Sequence, residues 1–179
     1  MPYYLINMNN TQIERYVSPQ FPRMKSITHI GVISDTHGLI RPGALAALSG
    51  SRLILHAGDI GSASVLDALR PIAQVVAVRG NCDTGPWAQD LSEVEVVEEG
   101  ACLIYLLHDL HKLDLDPAAA GFRIVISGHS HKPACQERNG VLYLNPGSAG
   151  PRRFKLPVTV ARLRIDATRV GVEIIELSV

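Results

Sequence analysis

Aromatic residues make up only 5% of the chain, and cysteine occurs three times, at Cys82, Cys102 and Cys135, with no Cys-x-x-Cys pair. The missing pair excludes a structural zinc knuckle. Three scattered thiols in a chain that is 46% hydrophobic are no disulfide scaffold either, which points to a reducing, cytoplasmic compartment. A surplus of charge is missing too: 17 basic residues balance 17 acidic ones. Such a balance gives no footprint for specific nucleic-acid binding and no acidic tail for a charged partner. No apolar run approaches the roughly 18 residues of a membrane span, so no membrane contact is expected. The start, MPYYLINMNNTQIERYVSPQFPRMK, lacks the charged head and compact apolar stretch of a signal peptide. It is polar, with Pro2, Pro19 and Pro22, and reads as an N-terminal extension over residues 1–26, with Met24 as an alternative start. Repeats, low-complexity tracts and linkers are absent, so residues 27–179 read as one domain.

What is present is aliphatic and periodic. The run Ile27 to Ile33 is β-rich and ends on a Ser-Asp turn signal. A helix follows, with Pro42 at its first position and Gly50 as its stop. RLILHAGD (52–59) is a strand, SASVLDALR (62–70) a helix capped by Ser62, and QVVAVRGN (74–81) a third strand. This β-α-β-α-β series predicts a largely parallel sheet. After residue 90, EVEVV and ACLIYLLH flank a Gly turn, ACQER and VLYLN flank Asn139-Gly140, and VTVARLRI and RVGVEIIEL flank DAT. The first half therefore reads as parallel and the second as antiparallel. Two sheets packed face to face, with helices outside, accommodate both.

Polar residues collect where the strands end. SDTHG offers Asp35 and His37, AGD offers Asp59, and RGNCD offers Asn81, Cys82 and Asp83. LLHD offers His108, and SGHSHKP offers His129 and His131. Were the chain still extended through residue 131, the last two imidazoles would aim at one spot. Singly, each has an ordinary explanation: Asp35 and Asp59 as helix N-caps, His37, His56 and His111 as turn caps, His108 as a hydrogen-bonded core residue, Asn81 as a turn. Together, two carboxylates, one amide and four imidazoles at five strand ends are not a capping pattern. Active-site residues gather at the carboxyl ends of strands in α/β sheets. Mixed Asp/His/Asn sets suit manganese, iron(II), zinc or cobalt. Seven donors exceed one tetrahedral zinc and fit two ions sharing a carboxylate bridge, for which Asp59 on the middle strand is the candidate.

The ordered motifs D-T-H, G-D, G-N, H and G-H-S-H resemble the calcineurin-like metallophosphoesterases, over residues 27 to 178. VRGNCD and NPGS (145–148) resemble more narrowly the small phosphodiesterases of the YfcE and MJ0936 type. The resemblance implies a four-layer αββα sandwich of two mixed β-sheets flanked by helices. It implies Asp35, His37, Asp59 and His131 around a first divalent ion, and Asp59, Asn81, His108 and His129 around a second. Manganese comes first among the ions, with nickel, iron, zinc or cobalt as alternatives. Asp59, Asn81 and His37 carry the catalytic roles, while Asn81 and Cys82 face substrate. The implied reaction is hydrolysis of a small phosphodiester by a hydroxide held between the ions. A phosphomonoesterase or nucleotide pyrophosphatase of the same fold is one alternative, and a non-catalytic Vps29-like protein-binding scaffold is the other; a homo-oligomer is compatible with either.

Two positions depart from the larger phosphatases. Their third motif reads Gly-Asn-His, with the His on the substrate phosphate; here that position is Cys82. After His108, where Gly-His is common, the sequence reads Asp-Leu-His. A Gly-rich Walker loop is absent, which excludes a nucleotide-driven ATPase. Cys82 has no base beside it and no Arg-ended phosphate loop around it, so it is not read as a nucleophile. NPGSAGPRR (145–153) is expected to close the far rim of the cleft or to lie at a subunit contact, with Arg152 and Arg153 as candidates to attract phosphate.

Overall fold

A computed structural model describes residues 27–166 and 169–178; the N-terminal extension read over residues 1–26 lies outside the described residues. Alternating apolar residues build the strands. In β1 (Thr28–Ile33), Ile30 and Val32 face one side, while Gly31 and Ile33 face the other. β2 (Leu53–His56) and β3 (Gln74–Ala77) extend β1 in parallel register, with Ile30 opposite Leu53 and Leu53 opposite Gln74. Helix α1 (Pro42–Leu48) joins β1 to β2, and α2 (Ala63–Leu69) joins β2 to β3. Pro42 begins the first helix, and the Ser62 hydroxyl accepts from Ser64 N–H at the start of the second. Both follow the sequence signals.

The hairpins form where expected. β4 (Val94–Glu99) pairs antiparallel with β5 (Cys102–Leu107), and β7 (Ala134–Arg138) with β8 (Val141–Asn145). The second turn carries Asn139 and Gly140, both at positive φ, as a type I′ turn requires. The division of the chain into a parallel and an antiparallel half does not hold. β6 (Ile124–Ile126) lies between β5 and β8 and is parallel to both. The last hairpin, β9 (Thr159–Asp166) and β10 (Arg169–Glu176), crosses back and adds antiparallel to β1. The reason lies in the β9 pattern: Ala161, Leu163 and Ile165 complete the core between the sheets, while Val160 packs under the helices.

Two mixed five-stranded sheets result, ordered β10-β9-β1-β2-β3 and β4-β5-β6-β8-β7. Between them Ile30, Val32, Leu55, Ile104, Leu106, Ile124 and Ile126 are fully buried. Truncating any one to alanine is expected to cost about 2–5 kcal/mol. Helices α1 and α2 cover the outer face of the first sheet. The outer face of the second is covered by the 110–122 segment, through Leu110, Leu113, Leu115 and Phe122, with one short 3-10 turn at Leu110–Lys112. Among the described residues, no helix is long and apolar enough to cross a membrane.

Candidate metal centre

All seven candidate donors lie just beyond the carboxyl ends of β1, β2, β3, β5 and β6. The N-cap explanation fails for both aspartates, because Arg41 and Ser62 occupy the cap positions of α1 and α2. Backbone hydrogen bonds stitch the loops together. Asp35 N–H donates to Gly58 O (3.0 Å), His37 N–H to Asp59 O (2.9 Å), and Gly128 N–H to His108 O (2.9 Å).

The chain is not extended through His129 and His131. β6 stops at Ile126, and both histidines have positive φ, 66° and 57°. Asp35 (53°), His37 (47°) and Asp59 (51°) do as well, so five of the seven candidates occupy left-handed backbone. That region costs a non-glycine residue about 1–2 kcal/mol, and Asp, Asn and His are the types found there most often. Strain of this kind is concentrated at functional sites and persists only where the surroundings enforce it.

The kinked backbone sends the two histidines apart. The His131 Nε2 atom is 3.3 Å from Asp35 Oδ1 and 3.4 Å from His37 Nε2. His129 Nδ1 is 3.0 Å from Asn81 Oδ1, which also lies 3.1 Å from His108 Nε2. Asp59 stands between the two groups, with Oδ2 3.9 Å from His37 Nε2 and Oδ1 3.4 Å from His108 Nε2. Close packing makes this possible: a side chain on Gly80 would collide with Asp59, and one on Gly58 (φ +86°) would meet His108 Nδ1 at 2.7 Å.

Outer contacts fix which atom of each donor faces the site. The His108 ring donates through Nδ1–H to Ala57 O (2.7 Å), which turns Nε2 inward as the nitrogen that can give up its proton to a cation. Asp35 Oδ2 accepts from the Ser34 hydroxyl (2.7 Å) and from His129 N–H (3.1 Å). Asp35 Oδ1 is buried and, among the described residues, has no hydrogen-bond partner. Asp59 Oδ1 accepts from Cys82 N–H at 2.8 Å.

The charges are poorly compensated. Burial pushes Asp35 up to about 6, against the pull of the Ser34 hydrogen bond. Burial opposes ionisation of Asp59 as well, but hydrogen bonds from His108 and from Cys82 N–H hold it below the usual carboxylate range. Burial, with Arg153 nearby, lowers His131 to about 4; it also lowers His37, against the Asp59 charge. An orphaned carboxylate oxygen, imidazole nitrogens facing one another and a raised buried aspartate all fit a divalent cation among these side chains. Three donor groups have ligand atoms within 4.8 Å of one another: Asp35, His37 and His131; His37, Asp59 and Cys82; and Asp35, Asp59 and His108.

Other residues take different parts from those the sequence suggests. Asp83 is buried, and its carboxylate accepts from Gly80, Ile60 and Gly61 N–H, tying the third strand end to the second. The NPGSAGPRR stretch divides: Asn145 donates to Gly128 O (2.6 Å) and the Ser148 hydroxyl to Asp35 O (2.9 Å), bracing the ligand loops, while Arg153 at its end reaches the rim beside His37. His56 lies in β2, fully buried, and is no turn cap. His111 does sit at a turn, with Asp109. The thiol of Cys82 is exposed, and burial and the Asp59 hydrogen bond raise its pKa, which keeps it protonated. A cleft of about 650 Å³ opens on the side of Asn81, His108 and His129 and runs out past Arg79, Tyr105 and Lys112.

Comparison with known proteins agrees with this geometry. Residues 28–168 match the model of the calcineurin-like phosphoesterase superfamily domain. A probable metallophosphoesterase of Methanocaldococcus jannaschii is 37% identical over 146 residues, covering 76% of each chain. The phosphodiesterase YfcE of Escherichia coli is 28% identical over 168 residues, covering 76% of this chain and 88% of its own. In fold, vacuolar protein sorting 29 from Cryptosporidium parvum superposes with a TM-score of 0.71 at 24% identity, over 85% of this chain and 92% of its own. With a matching domain model, a close relative and the motif residues gathered at one end of the sandwich, the chain belongs to the calcineurin-like phosphoesterase superfamily and is a metal-dependent phosphoesterase.

Proposed function

We propose that the protein is a phosphodiesterase that works with two divalent ions, manganese first among them. Asp35, His37, Asp59 and His131 hold one ion; Asp59, Asn81, His108 and His129 hold the other. The observation that carries this reading is the position of Asp59, whose two oxygens face His37 on one side and His108 on the other. When bound, such a pair of ions supplies an activated water and neutralises charge developing on the phosphoryl oxygens.

The protein's own groups set the terms of that chemistry. Ser34 and His129 N–H occupy one oxygen of Asp35, so only the other is free for a cation. The Ala57 carbonyl keeps His108 in the tautomer that presents Nε2. Asn81 contributes an uncharged oxygen between two imidazoles, which limits negative charge on the side where the cleft opens. The cleft itself has room for the second ester group of a diester. Cys82 contributes only a weak donor, which favours a singly charged diester over a doubly charged monoester.

The test is an assay of metal-reconstituted protein on bis(p-nitrophenyl) phosphate and p-nitrophenyl phosphate side by side. Faster turnover of the diester supports the reading. Preference for the monoester favours the phosphomonoesterase alternative, and no turnover with either, at full metal loading, favours the scaffold.

A further inference from the structure

The loop enclosed by a single β-bridge between Ser148 and Val158 carries an unusual pair, Arg153 and Phe154. Phe154 is 95% exposed, well above Val96 at 53%, the next most exposed large hydrophobic among the described residues. It also has φ +53°, a conformation bulky side chains rarely adopt. The loop around it is held at both ends: Gly150 N–H donates to Asp35 O (3.2 Å), Leu156 N–H to Arg153 O (3.1 Å), and Thr159 N–H to Ser148 O (2.9 Å). Its neighbour Arg153 brings Nη2 within 3.4 Å of His37 Nε2, the nitrogen that also faces Asp59 and His131.

Arg153 differs from the other arginines around it. Among the described residues no carboxylate pairs with Arg153, and its side-chain contact is with a candidate metal ligand, His37, whereas Arg41 nearby is turned to Gly150 O. An unpaired guanidinium at the mouth of a phosphoesterase site has its donor fork free for phosphate. It stands where extra positive charge is needed, because the Cys82 thiol is a weak donor to phosphate.

We propose that Arg153 and Phe154 form a substrate clamp. The guanidinium takes a phosphoryl oxygen, and the phenyl ring stacks on a planar aromatic group, a nucleobase or aryl ring, esterified to the same phosphate. The geometry suits this chemistry. Phe154 follows Arg153 directly and stands almost wholly in solvent, so its ring is free to stack on a planar group. The roomy cleft beyond Asn81 and His108 takes the other ester group. The clamp rests on the phosphoesterase reading and adds to it a substrate class: diesters bearing at least one nucleoside or aryl group.

The test uses the full chain loaded with manganese and calorimetric binding of inorganic phosphate, ribose 5-phosphate and adenosine 5′-monophosphate. Arg153→Gln should weaken all three roughly tenfold, the usual worth of a hydrogen bond to a charged group. Arg153→Lys should recover part of the loss, and Arg169→Gln, at the start of β10, should leave binding unchanged. Phe154→Ala should weaken adenosine 5′-monophosphate alone, again roughly tenfold, as loss of base stacking does. Phosphate binding unaffected by Arg153→Gln would overturn the clamp, as would a Phe154→Ala variant that binds the nucleotide as wild type does or loses it and ribose 5-phosphate equally. Failure of the catalytic reading is distinguishable: the wild type would then bind phosphate through Arg153 and hydrolyse no ester.

Discussion

His56 donates its Nε2 proton to the Thr36 hydroxyl at 3.0 Å, beneath the loop that carries Asp35 and His37. The direction follows from the hydroxyl, whose single proton goes to Ile60 O (2.9 Å), so that it must accept from the ring. The pair ties the Asp35–His37 loop to the Asp59–Ile60 loop, and it leaves His56 Nδ1 buried without a partner among the described residues. Burial lowers the His56 pKa to about 3, with the His108 charge acting in the same direction.

Stability should depend on pH through this ring. Its pKa is about 3 in the folded state and about 6.5 unfolded. The unfolded chain therefore binds more protons between those values, and stability is lost as pH falls from 6.5 toward 3, by up to about 1.4 kcal/mol per pH unit. His56→Gln keeps a donor for Thr36 but does not titrate. Its denaturant-unfolding free energy should fall less steeply than that of wild type over this window. His56→Leu, which leaves Thr36 without its donor, should lose about 1–2 kcal/mol at pH 7. Parallel pH profiles for wild type and His56→Gln would refute this role.

Asp59 faces both halves of the centre, His37 through one oxygen and His108 through the other. Asp59→Asn should therefore lower manganese content toward one or zero ions per chain, where wild type is expected to take up two. Metal analysis after dialysis and reconstitution measures this directly. Wild-type protein that never exceeds one equivalent would remove the two-ion reading.

His129 and His131 should be separable. His131→Ala should weaken the half containing Asp35 and His37, and His129→Ala the half containing Asn81 and His108; either should reduce turnover sharply. Their backbone adds a second readout. Because both have positive φ, His131→Gly in metal-stripped protein should be more stable than His131→Ala by about 1 kcal/mol, as only glycine is at ease there. If the alanine variant is as stable as the glycine variant, the kink is not strained.

The seven candidate donors stand out in the sequence because side chains of the right chemistry follow apolar runs one after another. Their geometry does not. An extended path from Ile126 to His131 brings the two imidazoles onto one face, but five donors in left-handed backbone send them to different partners. Periodicity marks where a strand ends and carries no information about φ in the loop beyond it. The hairpins were legible through local turn chemistry at Asn139-Gly140, whereas the sheet that β9 joins depends on distant pairing with β1. Asp83, Asn145 and His56 support the centre through hydrogen bonds to backbone or to a hydroxyl in other loops, and such contacts leave no spacing signal.

Cys82 sets the final prediction. Its N–H is committed to Asp59 Oδ1 at 2.8 Å, and its sulfur accepts from Asn81 Nδ2 at 3.3 Å. The thiol is kept protonated by burial and by Asp59, and it is a weak donor and a poor general acid. A histidine in its place would donate to phosphate and protonate a leaving alkoxide, help worth about 10²- to 10⁴-fold where the leaving group is poor. Diesters with good leaving groups need that help least. Bis(p-nitrophenyl) phosphate should therefore be turned over faster than p-nitrophenyl phosphate, and Cys82→His should shift the ratio toward monoesters. Cys82→Ser keeps the backbone N–H on Asp59 and should retain most diesterase activity. Loss of that activity in Cys82→Ser with metal content unchanged would give the thiol a direct chemical role and refute this account.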